Sequence, residues 1–242
     1  GLIQLQAIGS GVLRLSAREF REEVLAVDEE IREDLKKPRV GVVGEIFVKY
    51  SPLGNNNLEQ FLTDEGAEVV VPGLMDFCLY CITDGILDHK LYGRGYWKAQ
   101  VWKVAFKYLN GKKQDMIDLL KEDGRFEAPT PFIHTLKLAE EYLGLGAKMG
   151  EGWLLTGEMI ELIESGCKNI VCTQPFGCLP NHICGKGMIN KIRELYPTAN
   201  ITPIDYDPSA TRVNQENRIK LMLANAGRME KAQAEEKETA TV

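Results

Sequence analysis

Apolar residues fall along this chain in two rhythms, short continuous runs and longer stretches at helical spacing, and they alternate over most of its length. Arg39–Gly44 (RVGVVG) is a valine-rich run, the pattern of a strand buried on both faces of a parallel sheet. A loop over Glu45–Asn57 follows, then a helix over Asn57–Thr63 capped by one of three asparagines, Asn55–Asn57, which read as cap and turn residues. Glu68–Val71 is a second strand, closed by Pro72 and Gly73. Leu74–Gly150 shows no comparable strand and predicts a helical insert.

Parallel α/β order then resumes. Leu155, Met159, Leu162 and Ile163 lie on one helical face, with Gly166 at the cap. A strand over Lys168–Thr173 is followed by a helix over Met188–Tyr196 that stops at Pro197. The last predicted strand is Asn200–Ile204. Asp207 and Pro208 then start a helix that runs to about Ala226. Residues 1–38 read as a helical lead-in packed on the main domain, with a capping box at Ser16–Glu19 and Phe20, Val24, Val27, Ile31 and Leu35 at helical spacing. Residues 39–228 form the Rossmann- or flavodoxin-like α/β domain with the insert at 74–150. The charged, aperiodic tail 229–242 reads as disordered.

Within the insert, Trp97, Val101, Ala105 and Tyr108 form an apolar stripe, with Lys98, Lys103 and Lys107 mostly away from it. Two readings stand: a core-packed helix with a solvated basic face, or a docking face for an acidic partner or for nucleotide phosphates.

Composition narrows the class. Hydrophobic residues make up 44% and charged residues 26% of 242, enough for a sizeable core. The net charge of -6 argues against nucleic acid as the main partner. No apolar run approaches the roughly 20 residues of a membrane span, so no membrane partner is expected. The start, GLIQLQAIGSG, lacks the basic residues of a secretory signal, and with no initiator Met the chain reads as a fragment of a longer polypeptide. Six cysteines without such a signal point to a reducing, cytoplasmic compartment.

Chemistry concentrates in Val171–Gly187 (VCTQPFGCLPNHICGKG), where Cys172, Cys178 and Cys184 surround two prolines and an Asn-His pair. A loop leaving a strand and entering a helix is where open α/β sheets place ligands. Cys178 reads as a metal or redox thiol, or as a small buried hydrophobe. Cys184 reads as packing and Cys167 as structural. Cys78 and Cys81 form a single CxxC, open to a zinc or dithiol reading, while the apolar Phe77, Leu79, Tyr80 and Ile82 favour core packing. Joined with Cys178 and His182 they would make a Cys₃His zinc set. His182 could instead cap the next helix or hold an anion. Glu45 and Asp205, each at a strand's C-terminal end, are possible proton-handling or hydroxyl-binding groups, or plain loop and cap carboxylates. His89 and His134 stand apart from these groups.

Two blocks, RVGVVGEIFVKYSPLGNNNLEQFLTDEGAEVVVPGLMDFCLYC and QPFGCLPNHICGKGMINKIRELYPTANITPIDYDPSATRVNQENRIKLML, resemble the acyl-CoA dehydratase activase-related proteins of the 2-hydroxyacyl-CoA dehydratase and benzoyl-CoA reductase group. The resemblance covers most of 39–226. It implies Rossmann-like domains, a cysteine-ligated iron–sulfur cluster of the [4Fe-4S] type, and low-potential electron transfer driven by ATPase activator domains toward a CoA-thioester-converting enzyme. It places a chain like this at the C-terminal end of the long members. Carried over to this sequence, the family's PFGCLPNH motif falls on Pro175–His182, making Cys178 the foremost ligand and Cys172 a second on the same loop. Cys78 and Cys81 match less well. A homodimer is expected. The alternative is a non-catalytic structural or docking domain holding zinc or no metal.

Gly177 to Gly185-Lys186 has the wrong spacing for a phosphate loop, so the chain alone is expected neither to hydrolyse ATP nor to turn over a CoA thioester. If winding reverses after the insert, the first and third strands become neighbours. One cleft should then gather Glu45, Cys172, Cys178, His182 and Asp205, with Cys78 or Cys81 nearby.

Overall fold

The computed structural model describes residues 37–207 and 210–240. The expected lead-in helix at Ser16–Leu35 lies outside these residues, as does Pro208.

Four strands form one parallel sheet: β1 (Arg39–Gly44), β2 (Glu68–Val70), β3 (Asn169–Pro175) and β4 (Asn200–Tyr206), in the spatial order β2-β1-β3-β4. This is a mixed α/β architecture of the Rossmann/flavodoxin-like kind. β1 pairs with β3 in register Val40↔Asn169 through Gly44↔Thr173, so the winding reverses between them. That reversal is the topological switch point of an open α/β sheet.

Alternation along the strands builds two core layers. Val40, Val42, Val171 and Ile204 pack on one face against Leu58 and Leu62 of α2 (Leu58–Asp64) and Ile219 and Met222 of α8 (Arg212–Ala240). Val43, Ile170, Cys172 and Ile201 face the other way, onto Met159 and Ile163 of α6 (Gly152–Glu164) and Ile189 and Ile192 of α7 (Ile189–Leu195). Gly41 lets α6 approach: a Cβ there would stand 2.7 Å from the Leu162 side chain. α1 (Ile46–Tyr50) follows β1 directly, inside a stretch expected to be loop.

The insert is filled by α3 (Leu74–Tyr92), α4 (Tyr96–Asp123) and α5 (Phe132–Tyr142). α3 and α5 join α6 in a third apolar cluster of Leu79, Tyr80, Leu87, Phe132, Ala139, Trp153 and Leu154.

The structure corrects two expectations. α8 does not end near Ala226 but continues to Ala240, through most of the tail read as disordered. That stretch is rich in Ala, Glu, Lys and Gln, which carry strong intrinsic helix propensity even without an apolar face. The stripe on α4 is not core: Trp97, Val101 and Tyr108 are exposed, and the packed face is the opposite one. Among the described residues no helix is long and apolar enough to cross a membrane.

Candidate functional site at the carboxyl edge of β1 and β3

The site begins where β1 ends. Gly44 has φ +141°, and a Cβ there would lie 1.9 Å from the Thr173 carbonyl, so only glycine lets the two strands run side by side to their ends. Glu45 N–H then donates to Thr173 O at 3.0 Å. Its carboxylate accepts the Val48 N–H at 2.8 Å and caps α1. Glu45 is therefore at the edge as expected, with its carboxylate in the capping role.

A second carboxylate completes that cap. Glu151 is buried between Gly150 and Gly152, both at positive φ. Its Oε1 accepts the Ile46 N–H at 3.0 Å, and its Oε2 faces Asn181 Nδ2 at 3.4 Å. Asn181 Nδ2 in turn stands 3.2 Å from Cys178 Sγ. One buried acid thus ties the end of β1 to the cysteine loop. A Cβ on Gly152 would collide with Ala147 O at 2.3 Å, so the glycine sets where Glu151 stands.

The loop after β3 is tight. Gly177 takes φ +72°, Cys178 N–H donates to Pro175 O at 3.3 Å, and His182 N–H donates to Cys178 O at 3.0 Å. The chain then enters a π-helical turn, Asn181–Gly185. Cys178 is partly exposed, and Phe176, Leu179 and Ile183 around it point to solvent. On the β4 side, Gln174 Nε2 donates to the Asp205 carboxylate and lies 3.5 Å from His182 Nε2. Lys186 Nζ is 4.0 Å from the same carboxylate. His182 and Asp205 thus share Gln174. Two buried amide oxygens, Gln174 Oε1 and Asn181 Oδ1, have no hydrogen-bond partner among the described residues.

Cys172 does not join this group. β3 extends to Pro175, so Cys172 is a mid-strand residue facing the α6–α7 core, fully buried, with Gly185 close against its sulfur. Burial, with the Glu158 and Asp205 carboxylates adding to it, pushes its thiol up to about 12. Its sulfur therefore packs in the α6–α7 core and does not reach the rim where Cys178 lies. Cys167 is likewise pushed up to about 12 by burial, and Cys184 is raised by burial.

Cys78 and Cys81 reverse the core-packing expectation. Both are exposed on α3, three residues apart and so on one face, while Leu79 and Tyr80 take the buried side. Burial and then the Asp84 carboxylate raise the Cys81 thiol, with Glu151 contributing. The six free cysteines therefore divide. Cys167, Cys172 and Cys184 are sealed in, while Cys78, Cys81 and Cys178 keep access to solvent, with Glu151 acting on both Cys81 and the Cys178 loop.

An iron–sulfur cluster needs three or four thiolates within reach of one another. The donor chemistry of Cys178, Cys78 and Cys81 suits one. Among the described residues, however, no three His, Cys, Asp or Glu side chains converge on a point that could hold a metal ion. A cleft of about 370 Å³ along the free edge of β2, lined by Arg39, Asp76, Glu158 and Glu161, includes none of the rim residues.

Sequence reasoning missed Glu151, Gln174 and Asn181 as site residues. The signal for Glu151 was its place between two glycines. Asn181 sat beside His182 in a motif whose cysteine drew the attention. No protein-family model, curated protein or solved structure matches this chain.

Proposed function

We propose that this chain is an iron–sulfur-binding component of an ATP-driven acyl-CoA dehydratase or reductase system, with Cys178 as its principal ligand. The observation that carries the reading is the division of the cysteines: the three that stay accessible include the one in the PFGCLPNH motif, and the other three are packing groups. A cluster held there would supply one-electron transfer. This chain's own part is to position the sulfur: Glu151 fixes Asn181, and Asn181 offers an N–H to Cys178 Sγ. Hydrogen bonds to ligand sulfurs tune cluster potential. The apolar lip of Phe176, Leu179 and Ile183 suits a site that closes against another surface, such as an ATPase activator domain, which would complete the ligand set.

The lack of a converged donor group among the described residues favours one second reading, a docking domain of an activase polypeptide, and within it the metal-free form over zinc. Anaerobic iron–sulfide reconstitution separates the two. The first reading expects brown protein whose colour and iron are lost in Cys178→Ser and kept in Cys167→Ser. Equal iron in the two variants, or zinc in place of iron, supports the second.

A further inference from the structure

α4 has two apolar faces and the fold uses one of them. Ala99 and Ile117 are buried on the inner face, where the Phe106 ring lies 6.0 Å from the Phe132 ring, tilted 57° to it. Trp102 comes so close to α3 that a Cβ on Gly85 would lie 2.3 Å from its indole. The outer face carries Trp97, Val101, Val104 and Tyr108, which are 80%, 67%, 71% and 68% exposed. Their spacing of four, three and four residues is the seam of a helix that pairs with another helix. A contiguous exposed seam of large apolar side chains marks an interaction surface.

Charge says what pairs with it. Between Tyr96 and Gln114 there are five lysines and no acidic residue, within a chain of net charge -6. Lys113 is buried on Asp76, and Lys112 pairs with Asp115. Lys107, exposed on one flank of the seam, has no acidic partner among the described residues, and Lys98 on the other flank reaches only the field of Asp88. A second copy of this face would set lysine against lysine, which disfavours self-pairing. A lipid surface calls for a broad apolar face, not a seam one residue wide.

We propose that the outer face of α4 docks an acidic amphipathic helix of a partner protein. Its apolar residues would fill the Trp97–Tyr108 seam, and its Asp or Glu side chains would flank the seam against Lys98 and Lys107. This inference does not depend on the cluster reading.

The probe is a labelled synthetic helix with a leucine seam at four-three-four spacing and glutamate flanks, read by fluorescence anisotropy, beside an otherwise identical lysine-flanked peptide. The glutamate peptide should bind in preference and weaken as salt rises. Val104→Glu, at an exposed position and with an unchanged melting curve, should weaken it at least about tenfold. Lys98→Glu/Lys107→Glu should shift preference toward the lysine peptide. Equal binding of both peptides, binding of neither, preferential binding to anionic vesicles, or self-association abolished by Val104→Glu would each overturn the proposal.

Discussion

Lys49→Met isolates the energetics that seat α1 beneath the site. Lys49 Nζ lies 2.9 Å from both carboxylate oxygens of Glu158 on α6, and each side chain is only 5% exposed. At that burial, breaking the pair by removing one member costs about 3–5 kcal/mol, because the remaining charge is stranded. For a chain of this size that is a fall in Tm of roughly 6–20 °C. The stranded group in Lys49→Met is Glu158, whose carboxyl is already raised by burial, with Asp76 and Glu161 adding to the rise. A raised folded-state pKa favours the protonated form, so the deficit should shrink as pH falls and grow as it rises. Lys49→Met/Glu158→Leu removes both charges and should recover to within about 1 kcal/mol of the parent. Urea denaturation of the parent, both single variants and the double gives the coupling directly. Single variants within about 1 kcal/mol of the parent, or a double variant as damaged as the sum of the singles, would refute the reasoning.

Four further outcomes follow from the structure. Gly44→Ala, with a Cβ 1.9 Å from Thr173 O, should prevent stable folding. Gly66→Ala, at positive φ but with nothing within 4 Å, should cost only about 1 kcal/mol by denaturation. A thiol reagent on the native protein should label Cys78, Cys81 and Cys178 and reach Cys167, Cys172 and Cys184 only after unfolding, which peptide mass mapping reads. Asp84 is raised from 3.8 to about 6, chiefly by burial, so its contribution to stability is full below the lower value and lost as pH rises through the higher. Asp84→Asn should flatten the dependence of Tm on pH over that interval.

The sheet was legible because its strands announce themselves. Arg39–Gly44 and Asn200–Ile204 are short β-rich runs bounded by turn or helix signals, and each begins at its expected residue. The reversal between β1 and β3 was only a condition at the level of sequence, and the sheet order β2-β1-β3-β4 meets it. Periodicity was weaker on coverage. It revealed an apolar face on α4 but not that Ala99, Phe106 and Ile117 on the opposite side take the core. The third strand ends two residues later than expected, at Pro175, so Cys172, carried over as a loop ligand although it fell within the expected strand, sits in the β3 interior. Glu151 was invisible for a different reason, since its partners Ile46 and Asn181 are distant in sequence and meet only when β1 and β3 pair. Position at the sheet edge thus placed Glu45, Cys178, His182 and Asp205, while the hydrogen bonds through Glu151, Asn181 and Gln174 that connect them were not legible.

The central claim is that Cys178 holds iron at this edge. Iron and acid-labile sulfide per chain, measured after anaerobic reconstitution of the parent, Cys178→Ser, Cys172→Ser and Asn181→Leu, test it most directly. The account predicts that Cys178→Ser loses nearly all iron, that Cys172→Ser keeps it, and that Asn181→Leu keeps it with a shifted reduction potential. Iron retained in Cys178→Ser, or lost equally in Cys172→Ser with its fold intact, would contradict the account.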